Sequence, residues 1–116
     1  MPGRNVIDVT TVTVAVSGTV GEPSFGLSGA RSVAVFVPVV TSADLSLRGS
    51  FNQTSANFVP VLNPLVVTSA TWKAGVGPGS VAAVVPQDVF EGLAEAKLEL
   101  SVPQAAARTL IVVTKW

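Results

Sequence analysis

The chain has 116 residues, enough for one domain with its own core and no need of disulfides or metals. It contains no Cys, no His and no Tyr, so thiolate sites, Ser-His-Asp and Cys-His catalysis and His-based zinc chemistry are excluded. Seven basic residues balance seven acidic ones, and the charged fraction is 12% where about 25% is usual. Seven dispersed cations do not make the basic face that duplex binding needs, so no nucleic-acid partner is expected. With a mean hydropathy of +0.58, so little charge covers a free monomer poorly, which predicts a surface covered by neighbours.

Met1 to Asn5 is expected to form a flexible N-terminal arm, with Gly3 opposing regular structure, and residues 6–116 a single β-sandwich domain. No apolar run approaches the roughly 18 residues of a membrane-crossing helix, and no membrane partner is expected. Asp8 and several Thr interrupt the apolar core that a secretion signal would need. From Val6 the sequence is strand-like. Ile7, Val9 and Thr11 share one parity and Val12, Val14 and Val16 the other, which predicts a bulge or a junction near Thr10. Ser17 to Gly29 is rich in Gly and reads as a loop or wandering edge anchored by Phe25 and Leu27.

Arg31 to Val40 is the next strand, with Val33, Val35, Val37 and Val39 on one face and Pro38 placing its end at a sheet edge. Leu45, Leu47, Gly49 and Phe51 then alternate with polar residues. After the turn Asn52–Ser55 the chain returns at Phe58–Leu62, giving a hairpin. A strand follows over Leu65–Trp72, then the glycine-rich loop from Lys73, then an apolar strand over Ser80–Val85 stopped by Pro86. Asp88 to Leu93 fits one helical turn, capped by Asp88 and ended by Gly92. In Glu95 to Val102, Ala96, Leu98, Leu100 and Val102 alternate with polar residues, the period of a strand with one buried face. Thr109 to Thr114 is β-branched or aliphatic throughout, as in a strand covered on both sides. Leu98, Leu100, Leu110 and Val112 are assigned to the interior. The sum is an all-β chain, an antiparallel β-sandwich of about eight strands with a jelly roll favoured; strand order is not readable.

Each candidate site has a plain structural reading beside the functional one. The run Gly75-Val-Gly-Pro-Gly79 lacks the Gly-Lys-Ser/Thr ending of a phosphate loop and no helix follows it, so a hairpin-type loop is favoured. Asp88, Glu91 and Glu95 are the densest carboxylates, but they surround a turn rather than flank a sugar platform. Trp72 sits at a strand end beside a loop, either half-buried or able to stack on a ligand or a neighbour. Arg108 opens the last strand, placed to pair with an acid such as Glu99 or to reach across a subunit joint. Trp116 is either a lid on the sandwich or an anchor into a neighbour. Trp72, Arg108 and Trp116 are therefore the candidate interface residues. No catalytic, cofactor-binding or metal-ligating set is found, and no enzyme activity is expected.

Several stretches together resemble a known group. They are Val35-Phe36-Val37-Pro38, Ser42-Ala43-Asp44-Leu45-Ser46-Leu47-Arg48-Gly49-Ser50-Phe51, Phe58-Val59-Pro60-Val61, and Val84-Val85-Pro86-Gln87-Asp88-Val89-Phe90-Glu91-Gly92. They continue through Leu98-Glu99-Leu100-Ser101 to Gln104-Ala105-Ala106-Ala107-Arg108-Thr109-Leu110, which is the most distinctive part. The pattern is similar to the short all-β virion structural proteins of tailed bacteriophages, over roughly Arg31 to Lys115. The resemblance implies a virion component: a capsid decoration (cement) protein, or a head or tail attachment subunit, that binds the major capsid protein or other virion proteins. Such a subunit is expected to oligomerise, with a homotrimer favoured. A rival reading is a carbohydrate-binding jelly roll, with Trp72, Phe25 and Phe58 as stacking residues. The arm and first strand would either complete the chain's own sheet or lie along a neighbour's edge.

Overall fold

The computed structural model describes residues 6–50, 58–62 and 71–116. The expected arm, the Asn52–Ser55 turn, Phe51 and the strand's beginning at Leu65 lie outside these residues. In chain order the strands are β1 (Ile7–Val14), β2 (Gly21–Glu22), β3 (Phe25–Gly26), β4 (Ser32–Val37), β5 (Ala43–Ser50), β6 (Val59–Pro60), β7 (Ala74–Val76), β8 (Val81–Val85), β9 (Glu95–Leu100) and β10 (Arg108–Lys115). One helical turn, α1 (Gln87–Phe90), separates β8 from β9.

Two sheets face each other. The front sheet has the order β2-β1-β10-β4-β8; the rear sheet has β3-β9-β5-β6, with β7 also paired to β5. Every pairing is antiparallel. β2 and β3 are the two ends of one crossing segment, touching the front sheet at β1 and the rear sheet at β9. β9 occupies one side of β5, so β6 and β7 lie end to end along the other. Counted by position, the front sheet then runs first-eighth-third-sixth and the rear sheet second-seventh-fourth-fifth. That is the jelly-roll wiring, two interlocked Greek keys.

Period-2 patterning decides which side of each strand is buried. Val12 and Val14, Val33, Val35 and Val37, and Leu110 and Val112 line the front sheet's inner face; Leu45 and Leu47 with Ala96, Leu98 and Leu100 line the rear one. Phe25 and Leu27 are buried and hold the crossing segment, as its sequence predicts. Phe90 and Val89 on α1 close one end of the core.

Several expectations need correction. β1 has no bulge: Ile7 to Val14 pair one to one with Lys115 to Arg108. The apparent phase change arises because Val12 and Val14 face inward while Ile7 and Val9 face out and are still apolar. β4 is an internal strand between β10 and β8, and Pro38 lies one residue beyond its end. There the alternation slips, leaving Val39 exposed and Val40 buried. β10 is not covered on both sides, since Thr109 and Ile111 are exposed. The glycine-rich loop is no hairpin, because β7 belongs to the rear sheet and β8 to the front. It crosses between them, with Gly77 at φ +80 and its hypothetical Cβ 2.8 Å from the Val40 carbonyl oxygen. That conformation and that approach together require glycine. α1 has Pro86 at its N-cap and no side-chain cap; Asp88 lies in its first turn.

Candidate functional site

The three candidate interface residues are placed apart and each is engaged within the chain. Trp72 is 5% exposed and belongs to the core cluster, so its ring is not a surface platform. The Arg108 Nε donates to Gln104 Oε1 at 3.2 Å and not to Glu99, whose carboxylate pairs with Arg48 at 3.1 Å. Trp116 is seated on its own chain: its indole Nε1 donates to the Ser28 carbonyl at 2.7 Å and its main-chain N–H to Val6 at 2.9 Å.

Sequence reasoning passed over Gln104. It is 1% exposed, at a place where a polar residue is buried only with its hydrogen bonds met. Its Oε1 accepts from the Thr41 N–H at 2.9 Å as well as from Arg108, and its Nε2 donates to the Val102 carbonyl at 2.9 Å. Its carbonyl accepts from the Ser17 N–H at 2.8 Å. The side chain thus ties the β4–β5 and β9–β10 loops together, and the main-chain carbonyl of the same residue adds the β1–β2 loop, at one end of the sandwich. The only signal in the sequence was a lone amide between Pro103 and three alanines.

The outer faces of the two sheets differ sharply. On the rear sheet the outward positions are Asp44, Ser46 and Arg48 on β5 and Glu95, Lys97 and Glu99 on β9. Arg48 bonds Glu99; Lys97 reaches Glu22 at 2.9 Å and its Nζ lies 4.8 Å from the Phe58 ring centre. This is the wet face of an ordinary antiparallel sheet. The front sheet's outward positions form two apolar rows in register across all four long strands. One row is Val9, Val113, Ala34, Val84; the next is Thr11, Ile111, Phe36, Ala82. Val84 is 73% exposed, Val9 64% and Phe36 49%. Lys115, at the end of β10, is the charged residue among the outward positions of these four strands. A groove of about 370 Å³ indents this face across one end of β10, β4 and β8, lined by Phe36, Pro38, Val81, Ala82 and Ile111 among others.

A second hollow, about 480 Å³, lies between Asp44, Gly75, Gly77 and Ser101, with Asp44 as its carboxylate. Asp88, Glu91 and Glu95 do not converge: among the described residues no group of three or more potential ligands could hold a metal ion. No described helix is long and apolar enough to cross a membrane. Of the three aromatics considered for sugar stacking, Trp72 and Phe25 are inside the sandwich and Phe58 has the Lys97 ammonium over its ring.

No protein-family model matches the chain, and no curated protein matches it either. Among solved structures, the chain is similar to the crystal structure of the SPBc2 prophage-derived protein YomS, with a TM-score of 0.52 and 16% identity. The likeness covers 96% of each chain, so the whole sandwich is shared and not a fragment of it.

Proposed function

We propose that this chain is a structural protein of a bacteriophage virion, a capsid decoration subunit that lies on the head lattice and associates with its own copies. The observation that carries the reading is the sidedness of the sandwich. One sheet shows water a laced set of charges, while the other shows two registered rows in which every side chain but Thr11 is aliphatic or aromatic. A monomeric sandwich has no reason to leave an apolar face of that kind in water, and such faces mark interaction sites. The shared fold with a prophage-derived protein supports the phage setting. So does the resemblance of Arg31 to Lys115 to short virion proteins.

Decoration needs no catalysis. It works by burying apolar surface at many equivalent lattice positions, where each contact of about the standard ~1,600 Å² gains from its neighbours by effective concentration. The stacking residues of the carbohydrate reading are buried or already occupied, so no observation favours it. The test is co-sedimentation of the purified chain with assembled heads of the phage that encodes it. Saturable binding at a fixed ratio to the major capsid protein is expected; failure to bind expanded or unexpanded heads would overturn the proposal.

A further inference from the structure

Sheet edges are where a β protein protects itself against pairing with other chains, by short strands, charges, prolines or bulges. Three of the four edges here are blunted in those ways. β2 is two residues long and carries Glu22. β3 is two residues long, and the remaining rear edge is divided between β6, which contains Pro60, and the three-residue β7. The fourth edge is different. β8 is five residues long, Val-Ala-Ala-Val-Val, with β4 as its neighbour on one side and no neighbour on the other among the described residues. From Ala74 to Gln87 the sequence has no charge at all.

We infer that β8 is a docking edge for a second copy of this chain, the two β8 strands pairing antiparallel about a two-fold axis through Ala83. The inference rests on reading the chain as a self-associating structural subunit, and it names the contact. An antiparallel two-fold pair is self-complementary by construction, each copy offering the other the same donors and acceptors. About Ala83 the register sets Val81 against Val85 of the partner subunit and Ala82 against Val84 of the partner subunit, small against large on the outer face. A charge-free segment meets its own copy without the like-charge penalty that a typical edge would impose. The pairing continues the front sheet from one subunit into the next, so the two apolar outer faces become one surface. The contact is two-fold, so it predicts a dimer in solution, not the trimer that the family resemblance favours.

The test is light scattering on three forms of the full chain. The natural protein at high micromolar concentration should have a mass about twice 11.8 kDa. The double variant Ala82→Lys, Val84→Lys roots four lysines on Cβ atoms within about 8 Å of one another across the axis, at two exposed positions. It should be a folded monomer that unfolds cooperatively, with a melting temperature that, unlike that of the natural dimer, does not depend on protein concentration. Mixing it with the double variant Ala82→Glu, Val84→Glu should restore the dimer. A second probe does not depend on charge: the chain has no cysteine, so Ala83→Cys should form a disulfide-linked dimer on mild oxidation while Ser46→Cys on the rear sheet does not. A monomeric or trimeric natural protein, or a dimer indifferent to the lysines, overturns the inference, as does Ala83→Cys that fails to cross-link. Head binding is read separately. A monomer that still coats heads removes the edge contact and leaves the decoration reading, and a dimer that binds no head does the reverse.

Discussion

At the scale of single residues the molecule rests on one polar clasp and a ring of aliphatic contacts. Gln104 spends both ends of its side-chain amide on joining the β4–β5 loop to the β9–β10 loop. Truncating it leaves the Thr41 N–H and the Val102 carbonyl without partners in a part-buried setting, and such losses cost about 1–3 kcal/mol. Gln104→Ala should therefore lower stability by about that amount in urea unfolding, and Arg108→Ala, which removes a partly exposed donor, by less. Equal or negligible losses for the two would show that the clasp does not hold the loops. Leu100 is a different case. It is completely buried on β9 opposite Leu45, so Leu100→Ala combines lost transfer energy with a cavity and should cost on the order of 2–5 kcal/mol. A loss under about 1 kcal/mol would mean the site collapses around the smaller side chain, against the close packing of the two sheets.

At the scale of elements, what was legible depended on whether a strand's own period carries the information. β9 and the Leu45–Leu47 part of β5 show clean alternation, and their buried faces were read correctly from it. β1, β4 and β10 were harder, because the front sheet is apolar on both sides. A two-sided apolar strand looks like a bulged or doubly covered one, and the bulge expected near Thr10 and the double covering expected for β10 were both that error. Strand order was out of reach for another reason: it is fixed by loops that cross between sheets, and no local pattern records which sheet a loop ends on. Gln104 was missed because the partners that make it a clasp are main-chain groups that any sequence supplies, one of them 63 residues away at Thr41, and its nearby side-chain partner Arg108 was read against Glu99 instead. The crossing segment gives an element-level test. A Cβ on Gly21 in β2 would lie 2.4 Å from Val12 Cγ1, whereas one on Gly26 in β3 meets nothing within 4 Å. Gly21→Ala should cost about 1–3 kcal/mol by overpacking. Gly26→Ala should be neutral within about 0.5 kcal/mol. Chemical denaturation of the pair compares one substitution at two points of one segment, and similar values would show that the crossing is not wedged against β1.

For the whole molecule the question is why so poorly charged a chain has two such unlike surfaces. The rear sheet concentrates the charge available to it, with Arg48, Glu99, Lys97 and Glu22 joined in ion pairs on or beside it. The front sheet carries outward aliphatics that a solvated sheet would replace by Thr, Lys or Glu. Such side chains contribute little to the fold itself, since they make no core contact, so any penalty for changing them should appear in association and not in unfolding. Val9 and Ile111 test this directly, being outward, exposed and on neighbouring strands in adjacent rows. The double variant Val9→Lys, Ile111→Lys should unfold within about 1 kcal/mol of the natural chain, as surface substitutions usually do. Its occupancy of heads at limiting concentration should fall at least tenfold, since each contact would then bury ammonium groups against an apolar partner. Ser46→Lys on the rear sheet, opposite Glu99, should leave both quantities unchanged. If the front-face variant binds heads as well as the natural protein does, the apolar rows are not the face that meets the lattice, and the charged rear sheet becomes the surface to mutate.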